Sequence, residues 1–395
     1  VPAAAHVRNL KSLDVRTGEE IWSGATDRVV TWLAYSEETD VLVASNKRGV
    51  EGWHAKRGEK LWSKKAEGEG FLGHPENLWD KVVLWKDRVI DQRGPGQSYD
   101  LLTGELVTRK HPITGEDIDW QFTKNGHHCG YAVGCENLLT FRAGSAGFLD
   151  LETGGTTHLE GFRSGCRNSL IPANGVLCAP NFADECVCSY PIFTSLALRH
   201  IPDAEKWSYS ALDTGSGRVQ RIGVNFGAPG DRLVKGGSLW LDYPSVGGPS
   251  PNVEVKVTPE RPRWFRNHAA LVTGDGLKWV AASGAEGITS ISIKMGNPND
   301  GPTKYTVRLT FAEQDDVEPG ERVFDVAIGE VTVLPGFDPA GEAGGRNQIL
   351  VKEFPGISVR DVLTLAFTAK VGEPIISGLE VIAEEPSKLS SASNN

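Results

Sequence analysis

More than half of this 395-residue chain contains no cysteine; all six cysteines fall between Cys129 and Cys188. No apolar run approaches the roughly 20 residues that a membrane-crossing helix needs. Positive charge is not in excess either. Lys and Arg number 41 against 51 Asp and Glu, a net charge of −10, so the concentrated basic surface that phosphate binding requires is missing and nucleic acid is excluded as a partner. No Gly-x-Ser-x-Gly, His-Glu-x-x-His or glycine-rich phosphate loop occurs. The sequence opens on Val1, and the expectation is a mature or processed product, or a piece of a longer one.

Glycine, by contrast, is plentiful at 46 residues. Alternating Val, Leu, Thr and Phe segments are separated by Gly, Pro, Asn and Asp, which predicts an all-β protein. The clustered cysteines Cys129, Cys135, Cys166, Cys178, Cys186 and Cys188 could form a disulfide framework, a metal site or free buried thiols. An even, clustered set favours disulfides and an oxidising, extracytoplasmic compartment. Zinc sites usually pair ligands at short spacing in two places, and here only Cys186 and Cys188 are close.

One pattern recurs through the first 155 residues. Leu13-Asp14-Val15-Arg16-Thr17-Gly18 leads to Trp22, and Trp53-His54-Ala55-Lys56-Arg57-Gly58 leads to Trp62. Tyr99-Asp100-Leu101-Leu102-Thr103-Gly104 and Leu149-Asp150-Leu151-Glu152-Thr153-Gly154 follow. Each copy is a strand end, a tight turn whose Gly supplies the positive φ, and a second strand. A period of roughly 40 to 50 residues built on such hairpins predicts β-propeller blades. The repeat resembles the pyrroloquinoline-quinone-like (quinoprotein-like) propeller family, in which the Trp docks one blade on the next. That resemblance does not carry the cofactor with it. No cofactor is expected, pyrroloquinoline quinone included, although calcium would suit the acid pair Asp117 and Asp119 beside Trp120.

The cysteine window, with Arg163-Ser164-Gly165-Cys166, Ile171-Pro172-Ala173-Asn174-Gly175 and Cys186-Val187-Cys188-Ser189-Tyr190, is similar to the closing blades of planctomycete-type propeller proteins. The resemblance implies cysteines at 129, 166, 186 and 188, leaving Cys135 and Cys178 as extras that could pair with each other. Residues 1–205 supply about four to five blades, fewer than most closed propellers use. The expectation is that the missing blades lie on an N-terminal part of the same precursor or on another subunit.

Residues 206–235 read as a connecting segment, and 236–384 as a second domain of longer alternating strands. Tyr305, Val307, Leu309 and Phe311 fall on one strand face, which fits an antiparallel sandwich or jelly roll. This half is similar to the malectin-like carbohydrate-binding family through Tyr305 to Glu313, Gly320 to Val326, Ala343 to Asn347 and Pro374 to Val381. Residues 385–395 are a polar tail expected to fray.

Aromatic side chains stack on sugar rings, so Trp264, Phe265, Trp240 and Tyr243 are the candidate carbohydrate contacts. His127 and His128 are candidate bases, and Arg142 and Arg163 candidate forks for acidic sugars. No residue is assigned as a metal ligand. The expectation is carbohydrate recognition or a surface-assembly scaffold outside the cytoplasm. The alternatives are a polysaccharide lyase or hydrolase working in the propeller funnel, or a quinone-dependent oxidoreductase. A glycan partner fits the first two.

Overall fold

The computed structural model describes residues 8–65, 80–93, 96–122, 130–165, 169–180, 195–199, 201, 204–213, 215 and 217–384. The described residues are strand-dominated, with two short helices among them, Lys278–Ala281 and Pro339–Ala343, and one 3-10 turn, Ala269–Leu271. It divides into two units. The first is Val1–Arg109 with Asp117–Pro202, and the second is Lys110–Glu116 with Asp203–Asn395.

The first unit is a succession of small antiparallel sheets, each made from neighbouring stretches of chain. Asn9–Leu13 pairs with Glu20–Ala25, and the next sheet runs Trp32–Ser36, Val41–Asn46, Gly49–His54 and Glu59–Lys65. Then come Val82–Trp85, Arg88–Asp91 and Ser98–Asp100, followed by Val133–Gly134, Leu138–Ala143, Ser145–Asp150 and Thr156–Leu159. Ile171–Ala173, Val176–Ala179 and Leu196–Arg199 form the last. Among the described residues, no sheet joins the first strands to the last, and the unit is all-β.

The repeated turns explain why these hairpins form. Asp14 accepts the amides of Arg16 (2.8 Å) and Thr17 (2.9 Å), and Asp100 and Asp150 do the same for Leu102 and Thr103, and for Glu152 and Thr153. Such Asx-type turns satisfy local donors before any tertiary contact exists. Gly18, Gly58, Gly104 and Gly154 then take φ between 71° and 74°, a region that costs side-chain-bearing residues energy.

Consecutive repeats dock through these turns. The Trp22 indole lies against Gly58 and donates to Ala55 O at 2.7 Å; Trp62 lies against Gly104 and donates to Leu101 O at 2.9 Å. A Cβ on Gly58 or Gly104 would fall 2.5 or 2.6 Å from the ring, so glycine is required there for approach as well as for φ. In the third repeat Arg109 takes the place of the indole, with Nη1 2.5 Å from where a Gly154 Cβ would be.

The second unit is a sandwich. Its six-stranded sheet runs in the order Arg232–Leu233, Leu239–Tyr243, Arg221–Phe226, Gly378–Ala383, Thr303–Phe311, Leu350–Val359. The five-stranded sheet runs Val255–Thr258, Ser290–Lys294, Val362–Val371, Val323–Ile328, Val331–Phe337. Arg263–Arg266, Ser283–Glu286 and Ile375–Ile376 make a third, smaller sheet. Tyr305, Val307, Leu309 and Phe311 are all buried between the two main sheets, where Phe311 and Phe324 each pack against Phe337, at 4.7 and 5.5 Å between ring centroids.

Residues 206–235 are more than a connection. Arg221–Phe226 lies inside the six-stranded sheet, parallel to Leu239–Tyr243 on one side and antiparallel to Gly378–Ala383 on the other. Its Ile222, Val224 and Phe226 belong to the core. The sandwich therefore begins well before residue 236, because a strand with partners on both sides cannot be a linker.

Candidate functional site

The strand Leu239–Tyr243 sits near one edge of the six-stranded sheet, and Val255–Thr258 is the edge of the five-stranded sheet. The chain between them, residues 245–254, straps across a cleft of about 1010 Å³ within the second unit. Its floor is apolar, with Val219, Val224, Leu241, Val255 and Met295. Polar groups line the rest: Asp242, Ser250, Asn252, Lys294 and Asn297, with the Tyr243 ring among them.

Asp242 is 4 % exposed. Its Oδ2 accepts the amides of Val246 (2.7 Å) and Gly247 (2.8 Å), which fixes the start of the strap. Its Oδ1 is buried and has no hydrogen-bond partner among the described residues. Leaving a buried acceptor unmade costs about 1–3 kcal/mol.

Asp231 backs this arrangement. It accepts the Asp242 amide at 3.1 Å, the Ser210 amide at 3.2 Å and the Ser250 hydroxyl at 2.6 Å. It thereby ties Ser250 of the strap to the strand Leu239–Tyr243. Burial, with the Asp242 charge adding to it, pushes the Asp231 carboxyl up to about 6 against the pull of those hydrogen bonds.

Tyr243 is half-buried and meets Trp264 edge-on at 5.9 Å and Phe226 at 6.0 Å. Burial first, then the nearby Glu260 charge, raises the Tyr243 phenol. Trp264 and Phe265 are half-buried on the strand Arg263–Arg266, and Phe265 rests over Gly284, where a Cβ would lie 2.3 Å from its ring. Arg263, next to Trp264, pairs with Glu286 and Asp315.

Of the four aromatic candidates, the structure thus brings Tyr243 and Trp264 into contact, while Phe265 packs over Gly284. Trp240 is different. It is buried on the far side of the same sheet, over Gly223 and Gly378 and against Trp279 at 5.8 Å. Two glycines on neighbouring strands make the seat for its ring, so Trp240 holds the helix Lys278–Ala281 to the sheet and offers no face to a sugar.

Arg142 and Arg163 are also buried, so neither presents an open guanidinium to a polysaccharide from solvent. Cys135 and Cys178 are free thiols, each half-buried. Cys178 lies on the strand Val176–Ala179 and Cys135 beside Val133–Gly134 of another sheet, so the suggested bridge between them does not form. His127, His128, Cys129, Cys166, Cys186 and Cys188 lie outside the described residues. Asp117 and Asp119 belong to a three-residue strand, and no group of three or more potential ligands among the described residues could hold a metal ion.

Sequence reasoning missed Asp231, Asp242 and the cleft itself. The two acids sit 11 residues apart, with nothing in their spacing to link them. It also missed a fifth copy of the repeat turn, His111 to Glu116. There His111 Nδ1 accepts the amides of Ile113 and Thr114 at 3.2 Å, and Gly115 has φ 73°.

The family profile described as Malectin domain matches residues 295–379. Among solved structures, the ANXUR2 extracellular domain from Arabidopsis thaliana is similar at 19 % identity, over 42 % of this chain and 41 % of that one, with a TM-score of 0.32. The plant receptor-like kinase FER aligns at 16 % identity over 44 % of each chain, with a TM-score of 0.31. A Bacteroides uniformis beta-glucuronidase aligns at 12 % identity over 61 % of this chain and 27 % of that one, with a TM-score of 0.36. The chain thus spans less than half the length of each of these structures. No curated protein matches it. No helix among the described residues is long and apolar enough to cross a membrane. Residues 295–379 of this chain are a Malectin domain.

Proposed function

We propose that the second unit recognises carbohydrate, in an extracytoplasmic protein whose first unit is a run of quinoprotein-like propeller blades. The observation that carries the glycan reading is a cleft lined by Asp242, Tyr243, Asn252, Lys294 and Asn297 over an apolar floor. A sugar ring is apolar on its C–H faces and a hydroxyl donor at its edge. An aromatic residue, a carboxylate and the amides of Asn252 and Asn297 suit both features. Lys294 on the rim adds a donor for a ring or hydroxyl oxygen. The Malectin domain supplies five strands of the two main sheets and, of the cleft lining, Met295 to Asn297. The blade reading is supported by the repeated turns and by the indoles of Trp22 and Trp62 seated on the next turn.

The role assigned to the chain is binding, as a recognition or assembly module, with catalysis left to other proteins. Screening the whole chain on a glycan array, then titrating the hits by calorimetry, tests it. Saturable binding that falls about tenfold or more in Asp242→Asn, which removes the charge and keeps one oxygen for the Val246 and Gly247 amides, is the expected result. Glycans that bind wild type and Asp242→Asn alike, or the absence of any glycan ligand, would refute it.

A further inference from the structure

The first sheet of the first unit is bare at three places where the repeats that turn at Gly58, Gly104 and Gly154 are covered. First, among the described residues Asn9–Leu13 pairs with Glu20–Ala25 alone. Its counterparts directly before those three turns, Gly49–His54, Ser98–Asp100 and Ser145–Asp150, each have a second neighbour in Val41–Asn46, Arg88–Asp91 and Leu138–Ala143.

Second, the seat on the turn is empty. Gly58, Gly104 and Gly154 are covered by Trp22, Trp62 and Arg109 of the repeat before, whereas nothing lies within 4 Å of a Cβ on Gly18. Third, the apolar positions around the seat are open. Val15 is 98 % exposed, while its counterparts Leu101 and Leu151 are 0 and 5 % exposed. Leu13 is likewise exposed where Trp53, Tyr99 and Leu149 are buried.

We infer that this face is a docking surface for polypeptide preceding Val1, which adds two strands to the open edge of Asn9–Leu13 and seats an indole on the Gly18 turn. The occupant follows from continuity: the repeat-to-repeat interface used three times inside this unit is present here as its acceptor half alone. By analogy with Ala55 and Leu101, the arriving indole N–H donates to Val15 O. An uncovered strand edge flanked by exposed Leu13, Val15 and Ile21 is the arrangement that folded β-proteins cover. This inference rests on the repeat geometry and is independent of the glycan reading.

The chain's own second repeat provides the test. A copy of residues 8–48, joined directly ahead of Asn9, supplies both strands and keeps the native spacing from Trp22 to the next turn. Amide exchange in Asn9–Leu13 and in the Asp14–Gly18 turn is expected to slow about tenfold or more. With the copied Trp22 replaced by Ala, the turn loses that protection and the strand keeps it. Unchanged exchange, with the added residues open to protease, would overturn the inference. So would concentration-dependent protection of these amides in the unextended chain, which would make a second copy the occupant. A separate readout needs no extension. Leu13→Lys with Val15→Lys leaves the denaturation midpoint of the present chain unmoved if the seat is empty, and a lowered midpoint contradicts an empty seat.

Discussion

Arg322 donates from Nε to Glu313 at 2.7 Å, and both side chains are almost wholly withdrawn from water. The same guanidinium reaches Glu286 Oε1 at 2.7 Å, Asp315 Oδ2 at 3.2 Å and the Glu373 carbonyl, while Arg263 closes the network from the rim. Strands Arg263–Arg266, Ser283–Glu286 and Val323–Ile328 are thereby tied to the chain just after Phe311. Breaking one partner leaves a buried charge uncompensated, so Arg322→Met is expected to lower stability by about 3–5 kcal/mol. Removing Glu313 as well, as Glu313→Leu, should recover part of that loss. Urea denaturation of the single and double variants checks both statements.

Acid should weaken the same network. Burial would raise the Glu286 carboxyl, but hydrogen bonds from Arg263 and Arg322 outweigh it and hold the group below its ordinary 4.5. A carboxyl lowered by folding contributes stability above its unfolded value, and that contribution is lost as pH falls through the folded one. Glu286→Gln should therefore lose less stability than wild type between pH 5 and pH 3, measured by denaturant midpoint at about one-unit steps.

Asp231 carries the opposite sign. Its folded value, about 6 against an ordinary 3.8, means the folded state holds a proton that the unfolded state has already released. Stability attributable to Asp231 consequently falls as pH rises from 3.8 towards 6. Replacing it as Asp231→Asn should flatten the pH dependence across that window. An undiminished slope in the variant would mean that some other group is responsible.

How much of this was legible beforehand depended on the range of the interactions. The repeat turns could be read because Asp14, Thr17 and Gly18 build them within five residues. The core face of Tyr305 to Phe311 could be read because a strand alternates with period two. Arg221–Phe226 could not, since Gly378–Ala383 is over 150 residues away and the flanking Gly and Pro looked like a boundary. Trp240 was misread for a related reason: the glycines that seat it, Gly223 and Gly378, come from different strands. The fifth turn was legible in principle, since His111 stands where His54 stands in the second copy; its Nδ1 takes the acceptor role of Asp14, Asp100 and Asp150.

Within the first unit, docking strength should follow the burial of the indole. Trp62 is buried and Trp22 only half-buried, so Trp62→Ala is expected to cost about 3–5 kcal/mol and Trp22→Ala clearly less. Equal losses in thermal or urea denaturation would mean that seating on the next turn is not what sets the cost.

The free thiols offer a chemical check. Alkylation of the native chain without reductant should modify Cys135 and Cys178, read by peptide mass spectrometry, because neither is bridged. A peptide linking the two through sulfur would contradict this arrangement.

The central claim is that the cleft lined by Asp242 and Tyr243 holds a sugar. Calorimetric titration of the whole chain with array-selected oligosaccharides, alongside Tyr243→Ala and Asp242→Asn, tests it most directly. The account predicts saturable binding to wild type and a loss of roughly tenfold or more in each variant. Full affinity in both variants, with the fold intact, would contradict it.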